Sequence, residues 1–144
     1  MIRNNLANAC HNNKKAARLT QLIINACEDA KANEILALDI SELLNIVDQI
    51  VIVSGKSDRH VLGICNRVVE MLERAGIKDY EIEGRENAQW ILIDCGDVVL
   101  HIFYETTRHH YDLDGLWMRG GRIYYSPGGD AEFISDLIGA EQSA

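Results

Sequence analysis

The run AQWILIDCGDVVLHIFY, residues 88–104, constrains the fold of this chain more than any other stretch. Near-continuous apolar runs flank Cys95-Gly96, the pattern of two strands joined by a tight turn. With a two-residue loop, Asp94 lies opposite Asp97, Leu92 opposite Val99 and Trp90 opposite His101. One face of such a hairpin carries Ile91, Ile93, Val98, Leu100, Ile102 and Tyr104 and belongs under helices. The other carries Trp90, Leu92, Asp94, Asp97, Val99, His101 and Phe103. That mixture suits a recognition surface; it equally suits a half-buried sheet face with Trp90 tucked under a loop.

The rest of the chain supplies the helices. Leu19, Leu22, Ile23, Ala26, Cys27 and Ala30 recur at helical spacing, which predicts an amphipathic helix over 14–32. EILALDIS (34–41) and QIVIVS (49–54) read as strands. A second helix over 58–75 gathers Val61, Ile64, Cys65, Val68, Leu72 and Ala75 on one stripe, with Gly76 at its C-terminal cap. YEIEG (80–84) is a short strand. A last helix starts after Thr106 or Thr107 and ends near Trp117, with His109, Leu113, Leu116 and Trp117 on one side. Tyr111 then points away from that stripe, an exposed aromatic beside Asp114. The order predicts one α/β domain, a mixed sheet of about five strands with helices packed on it.

Charge excludes some partners. There are 14 Lys and Arg against 22 Asp and Glu, a net of −8. Residues 1–33 hold five basic and two acidic side chains, whereas 81–114 hold two and eight. The acidic segment repels nucleic acid and attracts a basic partner. No apolar run approaches the ~20 residues of a membrane span, and the first residues lack the apolar region of a secretory signal. Cys10, Cys27, Cys65 and Cys95 are scattered without a C-x-x-C pair, which points to reduced thiols in a cytoplasmic protein.

Chemistry finds little support. SGKSD (54–58) follows a strand as a phosphate loop would, but the glycine required five residues before Gly55 is Ile50. Ser57 as a helix N-cap, with Asp58 complementing the helix dipole, explains the turn without a ligand. His109 and His110 diverge by about 100° on a helix and His101 lies on a strand, so no metal is expected. Asp94 and Asp97 at a hairpin turn stay in water, where a carboxylate pair does little acid–base work.

Two segments carry a family likeness. LALDISELLNIVDQIVIVSGKSDRHVLGICNRV and EGRENAQWILIDCGDVVLHIFYETTRHHYDLDGLW, within residues 18–117, strongly resemble the bacterial ribosomal silencing factors, the Iojap family. The resemblance implies a nucleotidyltransferase-like fold without catalytic residues, cofactor or metal. It implies binding to the large ribosomal subunit through its basic protein fourteen, which blocks joining of the small subunit and damps translation under nutrient limitation. It implies homodimers, and no membrane or sequence-specific nucleic-acid partner. Carried over by motif, the partner-binding residues are Trp90 and Tyr111, joined by Asp94, Asp97, His101, Glu105 and Asp114 on the acidic surface. On this reading 14–117 is the family domain, 1–13 a flexible N-terminal extension and 118–144 a C-terminal extension that could cover the last helix. The alternative is a metal-dependent nucleotidyltransferase or nucleotide-binding protein, with Glu81 and Glu83 as its carboxylate pair after Ser57.

Overall fold

The computed structural model describes residues 2–41, 47–112, 115 and 121–127, with side chains from Lys14 onward. The elements are α1 (Ile2–Asp29), β1 (Asn33–Asp39), β2 (Gln49–Gly55), α2 (Asp58–Arg74), β3 (Glu81–Glu83), β4 (Trp90–Asp94), β5 (Val98–Tyr104), α3 (Glu105–Tyr111) and β6 (Gly121–Ser126). They form a single sheet in the order β3-β4-β5-β2-β1-β6. Only β2 and β5 run parallel; every other neighbouring pair is antiparallel. The expected α/β class with a mixed sheet therefore holds, with six strands in place of about five.

The added strand comes from RIYYS, in the stretch assigned to the C-terminal extension. It pairs with β1 along the sheet edge. Tyr124 faces the helices and its hydroxyl donates to Glu28 of α1, while Tyr125 packs on the opposite face. An extended run with a residue suited to each face is what an edge strand needs. At the other end of the chain, α1 begins at Ile2 and not near residue 14.

Alternation along the strands divides the core in two. Val51, Val53, Ile91, Ile93, Val98, Leu100 and Ile102 point to one face, under Ile23, Cys27, Val61, Ile64, Val68 and Leu72 of α1 and α2. Leu36, Leu38, Ile50, Ile52 and Phe103 form a second cluster on the other face, joined at its margin by Trp90 and Tyr125. β2 is buried throughout, as befits a parallel strand in mid-sheet. Its Gln49 is satisfied by the hydroxyl of Thr20 on α1. Among the described residues no helix is long and apolar enough to cross a membrane.

The hairpin register differs from the expected one. Trp90 opposes Phe103, Leu92 opposes His101 and Asp94 opposes Val99, and the Cys95 N–H donates to the Val98 carbonyl at 3.0 Å, leaving Gly96 and Asp97 as the loop. Gly96 adopts φ +88°, and the Asp94 carboxylate accepts its N–H at 2.9 Å. A two-residue loop with a positive-φ glycine at its first position matches the strand twist, and it sits one residue further along the chain than expected. The partner shift is two residues, an even number, so the side chains stay on the faces assigned to them.

The last helix also departs from expectation. It starts directly at the end of β5 and its seven residues stop at Tyr111, because Asp112 turns left-handed at φ 47°, ψ 47°. His109, expected on its apolar stripe, is exposed, and the buried residue of the helix is Arg108. Leu113, Asp114, Leu116 and Trp117 lie outside the described residues.

Candidate functional site

On the sheet face away from α1 and α2, β4 and β5 bring three aromatic rings and a histidine together. Trp90 stacks on its cross-strand neighbour Phe103 with centroids 4.9 Å apart, and Phe103 is fully buried. Cross-strand aromatic pairs of this kind are a principal source of local sheet stability. The indole N–H donates to Nδ1 of His101 at 3.0 Å. The chain then turns into α3, which carries Tyr111 back over Trp90 with ring centroids 5.0 Å apart. Trp90 is half-buried, while Tyr111 is 55% exposed and one of the two large apolar side chains that reach solvent to this degree among the described residues. The group is thus a rigid aromatic base with an exposed ring at its rim.

Its entry geometry depends on glycine. Gly84, just before the turn into β4, sits at φ +84°, and a Cβ there would strike the Trp90 carbonyl. Only glycine permits both the backbone angle and the close approach.

His101 was expected on the partner surface, but it is only 7% exposed. It lies under Trp90, opposite Leu92 and beside Ile52. Burial pushes its pKa down from 6.5 to about 4, which keeps Nδ1 free to accept the indole proton. His101 therefore bears on the exposed surface only by orienting Trp90. Because the folded state favours the neutral ring, its contribution to stability is complete above pH 6.5 and declines as pH falls towards 4. The full loss is about 3 kcal/mol. Urea unfolding from pH 7.5 to 4 should show this slope, and His101→Gln should flatten it while keeping an acceptor for the indole. Equal slopes in both proteins would refute the assignment.

The acidic residues are not gathered around the aromatics. Asp94 and Asp97 sit at the turn, four residues along β4 from Trp90 and so ~13 Å away. Asp94 is occupied in capping the turn, and the Asp97 carbonyl accepts the N–H groups of Asp48 and Gln49. Glu105 lies at the other end of the strand pair, where it accepts from Asn33 at 3.1 Å. Glu81 and Glu83 of β3 are exposed on the same sheet face as Trp90 and Leu92, a rim the charge count alone did not locate. Asp97 and Asp39 both lie near Asp48, whose pKa is raised by burial first, then by the Asp97 charge and then by that of Asp39.

The same topology bears on the enzyme alternative. Ser57 caps α2: its Oγ accepts the His60 N–H at 3.1 Å, and Lys56 is exposed. A Cβ on Gly55 would lie 2.8 Å from a Val61 methyl, so the glycine is explained by packing of the turn against α2. β5 and β4 separate β2 from β3, which places Glu81 and Glu83 three strand spacings, ~14 Å, from the line of β2 and its turn. The carboxylate pair and the Gly-Ser turn do not converge on one site. Among the described residues no three His, Cys, Asp or Glu side chains are grouped so as to hold a metal.

Known proteins with this sequence and fold agree on a family. The family described as ribosomal silencing factor during starvation matches residues 13–142, and so runs through the β6 stretch. A ribosomal silencing factor from Halalkalibacterium halodurans is 38% identical over 99 residues, covering 69% of this chain and 85% of that protein. One from Chromobacterium violaceum is 36% identical over 99 residues, covering 69% and 81%. An X-ray structure of a protein from Chromobacterium violaceum superposes with a TM-score of 0.69 at 33% identity, covering 79% of this chain and 94% of that one. With a family match across nearly its whole length, the chain belongs to the ribosomal silencing factors, which act by binding and not by catalysis.

Proposed function

We propose that the protein silences translation in the cytoplasm by docking the Trp90–Tyr111 face onto basic protein fourteen of the large ribosomal subunit. Occupying that site excludes the small subunit sterically, and no reaction is needed. The observation that carries this reading is the exposed Tyr111 ring held against Trp90 on a base of Phe103 and His101. Aromatic side chains already fixed by their neighbours lose little entropy on binding and make strong anchors. Glu81 and Glu83 beside them supply a negative rim for a basic partner. Self-association through the same face would compete with docking.

The decisive experiment mixes purified large and small subunits with the protein and follows subunit joining by sucrose gradient. Free large subunits should accumulate as the protein is added, most strongly when it meets the large subunit first. Unchanged joining at saturating protein would refute the proposal. The acidic rim makes a second expectation. The association rate with large subunits should fall as salt rises, because the Debye length shortens from ~10 Å at 0.1 M to ~3 Å at 1 M. A rate indifferent to salt would leave the acidic residues as a solvated surface only.

A further inference from the structure

A second surface lies on the helix side of the sheet, away from the aromatic group. The middle turns of α1 from Lys14 to Leu22, the segment 75–79 after α2, and the hairpin turn enclose an open cleft of about 660 Å³. Its floor is apolar, from Leu19, Leu22, Ile77 and Cys95. Burial and the Asp94 charge raise the Cys95 thiol to about 11, so it adds no negative charge there. Its rim carries Lys14, Lys15, Arg18 and Lys78 against one acid, Asp79.

These cations differ from the other basic side chains around them. Arg67 is clasped by Asp29 and Glu70, and Arg74 by Glu70. No ion pair among the described residues involves Lys14, Lys15, Arg18 or Lys78. Lys14 and Arg18 stand one helical turn apart, ~6 Å along α1, close to the spacing of successive phosphates on a nucleic-acid strand. In a chain of net charge −8, four unpaired cations around one cleft are a concentrated exception. Two acids stand near them, Asp79 on the rim and Asp94, whose charge reaches Cys95 on the floor, so the cations still outnumber the acids two to one.

We propose that this cleft binds the phosphate backbone of ribosomal RNA. It would give the docked factor a second, sequence-independent foothold beside its protein contact. The apolar floor can take the face of an unstacked base while the four cations meet phosphates, the combination that serves single-stranded nucleic acid elsewhere. The average charge of the chain argues against RNA; the local charge of this cleft argues for it. Which RNA is met rests on the docking reading above, but binding itself can be measured without ribosomes.

The test uses the full chain and a fluorescein-labelled RNA hairpin with a ten-nucleotide loop, followed by anisotropy. With four phosphate contacts, affinity should fall about 100-fold between about 50 and 200 mM salt. The charge-reversed variant Lys14→Glu/Lys15→Glu/Arg18→Glu/Lys78→Glu should lose binding at low salt while its circular dichroism and urea midpoint stay within error of wild type. A milder variant, Lys14→Gln/Arg18→Gln, should roughly halve the salt slope. Wild-type protein that ignores the hairpin at low salt, or a folded charge-reversed variant that still binds it, would overturn the proposal. Polyglutamate of equal charge binding as tightly as the RNA would assign the cleft to an acidic peptide instead, and would overturn it too. Pelleting with large subunits separates the two readings. If the charge-reversed variant pellets like wild type while Tyr111→Ala does not, the RNA foothold fails and the docking face stands. The reverse pattern rejects the docking face alone.

Discussion

Tyr111→Ala should cost the protein most of its affinity for the large subunit while leaving the fold intact. The ring is more than half exposed, and the rings that touch it are those of Trp90 and its chain neighbour His110. Removing it forfeits an aromatic pair worth ~0.5–1.5 kcal/mol, so the urea midpoint should move little. A hot-spot anchor in an interface is worth ~2–4 kcal/mol, or ~30- to 1000-fold in affinity. Trp90→Ala should lose at least as much binding, with a different stability signature. The indole is half-buried, stacked on Phe103 and bonded to His101. Full burial would make its loss cost ~3–5 kcal/mol, and half-burial implies about 2 kcal/mol. The two variants thus form a pair, with similar losses in pelleting and unequal losses in stability. Folded Tyr111→Ala that pellets normally would place the docking surface elsewhere.

The faces of the hairpin were legible in the sequence because side-chain alternation in a strand has a period of two. An error of two in the register leaves every assignment to a face intact. That is why Trp90 and Phe103 were placed on the same face although their pairing was not. The position of the turn was not legible, since a two-residue loop fits at Cys95-Gly96 or one residue on at Gly96-Asp97, and the Cys95 bond to the Val98 carbonyl selects the second. The burial of His101 was hidden for a related reason. A histidine on a mixed face reads as polar surface until a neighbouring indole covers it and uses its acceptor. Charge showed the opposite failure. Summed along the sequence, residues 81–114 look like one acidic surface. Folding distributes them between the turn, the β3 edge and the start of α3, because strands carry residues only four apart over a distance longer than a Debye length. The cleft cations could not be found by any local pattern, since Lys78 reaches Lys14 and Arg18 only through the packing of α2 against α1.

Arg108 leaves no sequence signal at all, and it should have the largest effect on stability. A lone arginine in a polar stretch reads as solvated, yet this one is 3% exposed. Its Nη1 donates to the Glu34 carbonyl at 2.6 Å and to the Ser54 hydroxyl at 2.8 Å, with the Glu34 carboxylate 3.8 Å away. The guanidinium thereby ties α3 to the first residues of β1 and the last of β2. Glu34 holds a left-handed φ of 47°, a conformation that needs such support in a residue with a side chain. Hydrogen bonds to a charged group contribute ~1.5–3 kcal/mol each, and a buried hydroxyl or carbonyl left without its partner is costly. Arg108→Ala should therefore cost about 3–5 kcal/mol, which at ~2 kcal/mol per molar is a fall of roughly 2 M in the urea midpoint. Arg108→Lys, which keeps one charged donor, should recover part of this. Tyr111 follows three residues later on the same short helix, so releasing α3 also removes the exposed ring from its place over Trp90. Arg108→Ala protein, assayed at a temperature where it remains folded, should then pellet poorly with large subunits although residue 108 is buried. An unchanged midpoint would mean that α3 is held by other contacts. Normal pelleting by a destabilised variant would mean that the Tyr111 ring finds its place without this anchor.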